Sequence, residues 1–169
     1  ADPVDVYVQK LLSPVTARFY ELELRVGTRT AHSFRPAVPK ALLNAVIADL
    51  TSDPDFASRG TDTSEWSESH DFFYPLRDSV VRTTVSFNDT NFEMQTEHVV
   101  KEKVALQDAA HYRVSCAHER VVLPEQLPFS SHVAHMRIKQ RRSICVREPE
   151  MTHPLWRYDF TLVWSGKDK

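Results

Sequence analysis

A chain of 169 residues is long enough to bury a core and short enough to be a single domain spanning 1–169. Its apolar fraction of 41% and charged fraction of 26% are those of an ordinary globular protein, and a net charge of −2 excludes a polycation that coats nucleic acid wholesale. No apolar run is long enough to span a membrane as a helix, two cysteines make no disulfide framework, and three glycines are too few for a glycine-rich phosphate loop. No signal-peptide pattern opens the sequence, so a reducing compartment and no membrane partner are expected.

The segment 3–12 is ambiguous between a short helix and coil, and Pro14 ends it. Residues 16–28 alternate and close on Gly27, which predicts a strand. Residues 39–50 predict the one clear helix: Pro39 suits its first turn, and Leu42, Leu43, Val46, Ile47 and Leu50 recur at helical spacing. The Ser-, Asp-, Gly- and Pro-rich stretch 51–69 reads as loop. Strand-like runs follow at 71–75, 80–87, 93–106, 111–122, 134–147 and 155–164. Residues 88–91 read as the turn of a hairpin, and Asn88-Asp89-Thr90 is taken as turn chemistry rather than a glycosylation signal. Residues 125–131 and 148–154 read as further turns. The sum is mainly antiparallel β with few helices, a sandwich or a barrel.

Side chains alternate across a strand, so parity sorts each run into two faces. In the first strand Glu21, Glu23 and Arg25 oppose Tyr20, Leu22, Leu24 and Val26. Arg82, Thr84 and Ser86 oppose Val81, Val85 and Phe87. Lys101 and Lys103 share a face with Glu97, and Arg113 shares one with Ser115 and Glu119. Arg137, Lys139, Arg141 and Ser143 oppose Met136, Ile138, Ile144 and Val146, which leaves Arg142 on the other side. Arg157, Asp159 and Thr161 oppose Trp156, Tyr158, Phe160, Leu162 and Trp164.

A sheet with one buried and one wetted face explains each strand taken singly. Two features go further. The charges are segregated by sign between strands, and arginine is favoured over lysine, as anion recognition prefers. The polar face carries nine basic and five acidic residues, an excess of four on a chain whose net charge is −2. Lining a barrel, such an excess calls for an anion, and a polyphosphate has the right sign. The Glu21–Glu23 pair then suits a hard divalent cation.

These residues, in this order, resemble the metal-dependent RNA 5′-triphosphatases of fungal, protozoan and viral mRNA capping, members of the triphosphate tunnel metalloenzymes. Glu21-Leu-Glu23-Leu-Arg25 with Val26-Gly27 resembles the family's first metal-binding strand. Arg82-Thr-Thr-Val, Val99-Val-Lys101-Glu-Lys103-Val and Tyr112-Arg113-Val-Ser115 with Glu119 resemble its following strands. Arg137-Ile-Lys139-Gln-Arg141-Arg-Ser143 and Arg157-Tyr-Asp159-Phe-Thr161 resemble the strands that grip the phosphates. The likeness runs from about Arg18 to Trp164.

The resemblance implies an eight-stranded antiparallel tunnel barrel with a polar interior and few peripheral helices. It implies removal of the γ-phosphate from triphosphate-ended nascent RNA, leaving a diphosphate end for capping. Glu21 and Glu23 would bind Mg²⁺ or Mn²⁺. Arg25, Arg82, Lys101, Lys103, Arg113, Arg137, Lys139, Arg141 and Arg157 would bind phosphate, with Arg82 and Arg141 closest to the chemistry. Glu119 would position or deprotonate the attacking water, with a plain salt bridge to Arg113 or another cation as its rival reading. Asp159 and Thr161 would support the arginines. The family's last strand carries further glutamates, and the sequence reaches Lys169 without one, so the acid side of the site and the last strand are expected to be missing from this chain.

One helix is little coat for an outward apolar surface, so a homodimer or association with a capping component such as a guanylyltransferase is expected. The nucleus is the implied compartment, or the cytoplasm or a virion if the source is viral. The alternatives are a tunnel hydrolase of inorganic triphosphate, polyphosphate or nucleotides, and a non-catalytic barrel scaffold. A zinc reading of His132, His135 and Cys145 lacks a fourth ligand. Cys116 and Cys145 fall on opposite parities, which disfavours a disulfide.

Overall fold

The computed structural model describes residues 21–62, 65–76, 78–88, 91, 93–127, 132–146 and 156–166. The segment 3–12 and the turn at 148–154 lie outside them, as does the start of the first strand. Ten strands are described: β1 (Glu21–Val26), β2 (Thr28–Arg29), β3 (Phe34–Arg35), β4 (Gly60–Asp62), β5 (Ser67–Leu76), β6 (Ser79–Asn88), β7 (Glu93–Asp108), β8 (Tyr112–Val121), β9 (His135–Val146) and β10 (Trp156–Gly166). Two helices accompany them, α1 (Lys40–Ser52) and α2 (Pro54–Arg59).

The main sheet runs β1-β8-β7-β6-β5-β9-β10, every neighbour antiparallel, with β4 pairing the end of β9. It curls into a half-barrel with few helices, the mostly β architecture of a tunnel-like fold. The predicted hairpin joins β6 and β7, where Asn88 faces Glu93. Beside the main sheet, β2 and β3 form a small hairpin. Gly27 permits it, because a Cβ there would lie 2.2 Å from the Arg35 carbonyl oxygen.

The stretch 51–69, expected to be loop, holds α2, β4 and the start of β5. The Ser- and Asp-rich composition is that of a helix start rather than of coil. Asp53 Oδ1 accepts from the backbone N–H of Asp55 at 2.9 Å and of Phe56 at 3.5 Å, and Pro54 opens the helix.

The apolar parity class faces outward, as the alternation predicts. Two patches of core coat it. Ile47 of α1 packs with Ile144 of β9 and Phe160 of β10, joined by Leu43, Leu50 and Phe56. Phe56 also meets Tyr158 edge-on at 6.0 Å. The helical positions named from spacing therefore divide, since Leu42 and Val46 are exposed. On the other flank Val81, Val100 and Val122 pack with Tyr74, Leu76 and Leu127. The segment after β8 supplies this cover through a single 3₁₀ turn at Pro124–Gln126.

Candidate active site

The polar parity classes of seven strands meet on the inner face. Convergence is visible at Lys101: it stands on β7, yet its Nζ lies 3.2 Å from Glu21 Oε2 and 3.4 Å from Glu23 Oε2 on β1, across the intervening β8. On β8 the register partner of Glu21 is Ala117, and that of Lys101 is Glu119, two residues further on the same face.

Glu21 and Glu23 form the acid side. Burial pushes the Glu23 carboxyl up, but the hydrogen bond and charge of Arg25, with Lys101, outweigh it and hold it below the ordinary value. Arg25 Nε donates to Glu23 Oε1 at 2.8 Å. Glu21 Oε2 is buried and makes no hydrogen bond, although the Lys101 charge is near. A hard carboxylate oxygen left without a donor fits a divalent cation. Among the described residues, no group of three or more His, Cys, Asp or Glu could complete a metal site. The pair could therefore supply only part of a coordination shell.

The basic side is organised by two aspartates. Asp71 of β5 is wholly buried. Its Oδ2 accepts from Arg137 Nε at 2.6 Å and lies 2.9 Å from Lys139 Nζ, and its Oδ1 accepts from Thr84 Oγ1 at 2.7 Å. Burial raises its pKa, but these donors win and hold the carboxyl below the usual range. Burial lowers the pKa of Lys139, only partly offset by Asp71. Arg137 also lies over the Phe73 ring at 5.1 Å. Asp159 is the second anchor. It accepts from Ser143 Oγ at 2.7 Å and from Arg157 Nε at 3.1 Å, and Arg141 Nη1 is 3.7 Å away. Arg141 Nε donates to Thr161 Oγ1 at 3.1 Å.

Arg82 lies between the two sides. Its Nη2 is 3.6 Å from Glu119 Oε1, while its Nε is buried with no acceptor. The cation beside Glu119 is thus Arg82 rather than Arg113. The Arg113 fork is occupied by Asp108 at 2.6 and 3.0 Å, and its guanidinium lies 5.0 Å from the centre of the Phe34 ring. The hydrogen bond from Arg113 is the main cause that holds the Asp108 carboxyl low. Lys103 is exposed. An open cleft of about 570 Å³, lined by Thr84, Ser86, Gln95, Thr96 and Glu97, lies toward the β6–β7 turn.

Parity read from the sequence leaves Asp71 and Asp108 off the inner face. Ser67, Ser69 and Asp71 alternate with Glu68, His70 and Phe72, so extending the parity back from 71 would have found the first. Asp108 reaches the inner face because the β7–β8 register shifts between Lys103 and Ala105, which inverts parity for the rest of β7. Counting both carboxylates, and Glu93, which shares the parity of Glu97 on β7, changes nine against five to nine against eight, an excess of one rather than four.

The class defined so far is a curled antiparallel half-barrel with a charge-lined concave face. No protein-family description matches the sequence, and no curated protein matches it. Solved structures do match. The S. pombe RNA triphosphatase Pct1 superposes with a TM-score of 0.63 at 18% identity, covering 95% of this chain and 69% of Pct1. Pct1 in complex with the Spt5 CTD superposes with a TM-score of 0.65 at 17% identity, covering 97% of this chain and 74% of Pct1. At such identities the likeness establishes the fold alone, a tunnel-like fold similar to that of Pct1.

Proposed function

We propose that the chain acts on the triphosphate end of RNA, hydrolysing the γ-phosphate as the first step of mRNA cap formation. The observation that carries this reading is the buried Arg82 Nε without an acceptor, set between a carboxylate pair and a bank of anchored cations. A triphosphate supplies the acceptors this face lacks. Arg82, Arg137, Lys139, Arg141 and Arg157 hold phosphate oxygens; Asp71 already positions Arg137 and Lys139, and Asp159 positions Arg157 and Arg141, which lowers the entropy cost of binding. The same cations stabilise charge that spreads over the γ-phosphoryl oxygens in the transition state.

Glu119 accepts the proton of the attacking water as its oxygen bonds to the γ-phosphorus. The bond to the bridging oxygen breaks, and its electron pair leaves with the β-phosphate. Glu21 and Glu23 would hold Mg²⁺ or Mn²⁺, which supplies Lewis-acid neutralisation of the γ-phosphate charge. The diphosphate product is the substrate class a guanylyltransferase consumes, and nuclear capping is the setting this reading implies.

The test is phosphate release from 5′-triphosphate RNA in the presence of Mn²⁺. Glu21→Ala and Glu23→Ala should each abolish release while the proteins still fold. Release that persists in both variants would show the metal assignment to be wrong.

A further inference from the structure

We propose that Lys101 is an exchangeable internal counter-ion: it occupies the metal position while the site is empty and is handed to the phosphate when the metal arrives. This rests on the proposed reading of Glu21 and Glu23 as metal ligands. The Lys101 ammonium lies 3.2 Å from Glu21 Oε2 and 3.4 Å from Glu23 Oε2, so it sits against an oxygen of each carboxylate that the cation would need. A magnesium ion binds such oxygens at roughly 2.0–2.1 Å. An ammonium and a divalent cation cannot both occupy that space, and their like charges repel.

The contacts also show why exchange is easy. Lys101 hydrogen-bonds Glu23, yet Glu21 Oε2 makes no hydrogen bond, so the ammonium satisfies the pair incompletely. Its cross-strand neighbour on β8 is Glu119, which is turned to Arg82. Once displaced, the side chain remains tethered to β7 on a concave face between the acid pair and Arg82. The anion it then meets is the substrate phosphate. Metal binding thereby frees one cation for phosphate, and by linkage phosphate binding strengthens metal binding by the same factor. The part that moves with the metal is the ammonium, not the backbone.

The experiment is a Mn²⁺ titration of the whole chain without phosphate, read by electron paramagnetic resonance of free Mn²⁺. Removing the competitor in Lys101→Met should tighten Mn²⁺ binding by about 5-fold or more, the lower end of typical coupling factors. Lys101→Arg, which keeps a cation on the same stem, should stay near wild type. Equal or weaker binding in Lys101→Met overturns the exchange. A second readout needs no variant: acetylation of the Lys101 amine, followed by mass spectrometry, should speed up when Mn²⁺ is added. Slower or unchanged acetylation counts against the proposal. If Glu21→Ala loses Mn²⁺ while Lys101→Met binds like wild type, only the exchange fails. If wild type and Glu21→Ala bind Mn²⁺ equally or not at all, the metal reading fails with it.

Discussion

Asp71 shows how much one side chain can organise. It is a wholly buried carboxylate on β5 that serves Arg137 and Lys139 of β9 and Thr84 of β6. Removing it leaves Lys139 buried and Arg137 mostly buried beside each other without their shared counter-charge. Asp71→Ala should therefore cost about 3 kcal/mol of stability, the lower end for breaking a buried ion pair. Urea denaturation checks the figure, and a cost under about 1 kcal/mol would show that solvent screens the cluster. The sign of the shift sets the pH dependence. The folded carboxyl is held below the unfolded value of about 3.9, so its contribution is full above that value. It is lost as pH falls through the lower folded value. Thermal melts of wild type should lose stability on acidification in that window, and Asp71→Asn should lose less.

At the scale of elements, alternation within a strand decides what is wet and what is packed. The outward class of β9 and β10 is a docking surface for α1, and α1 answers with Leu43, Ile47 and Leu50. Ile144 is wholly buried there, whereas Leu42 on the far side of the helix is 49% exposed. Ile144→Ala should cost about 2–4 kcal/mol, as a large-to-small change in a packed site does. Leu42→Ala should stay within about 0.5 kcal/mol. A common cost for both, read from denaturant midpoints, would mean that α1 does not dock as described. The β7 bulge shows the opposite lesson at this scale. One inserted residue inverts the parity of the remainder of the strand, so Leu106 and Asp108 replace the odd positions on the inner face.

For the whole molecule, the number of strands matters. Seven strands in strict antiparallel order leave β1 and β10, at the two ends of the path, running in the same direction. They cannot close on each other as an antiparallel ladder, and among the described residues neither has a strand partner along its outer side. The outer surface adds exposed apolar groups at Met94, Phe87 and Trp164. The coat is larger than one helix, since α2 and the segment after β8 contribute, yet among the described residues it leaves these apolar groups exposed. Self-association is the expected outcome, and sedimentation velocity at micromolar concentration should report more than the monomer mass. A monomer throughout that range would mean that the open edges and apolar groups are tolerated in water.

The face on which most of the charges lie was legible in the amino-acid order, because strand periodicity is local and needs only neighbours two apart. Glu21 with Glu23, and Arg137 with Lys139 and Arg141, could be grouped on that ground alone. The same local reasoning located α1, whose apolar positions recur at helical spacing. Which charges meet was settled by tertiary structure. Asp71 and Arg137 are 66 residues apart, and Lys101 and Glu23 are 78 apart. Their meeting depends on strand order, on register and on the curl of the sheet, none of which parity contains. The same holds for the pairing of Glu119 with Arg82, whereas Arg113 and Asp108 stand five residues apart across the β7–β8 hairpin and needed only its shifted register. Charge balance suffered most from reading strands singly: the inner face is closer to neutral than its cations suggested, because Asp71 and Glu93, which parity carried along their strands places there, and Asp108, which only the shifted register reveals, all add negative charge.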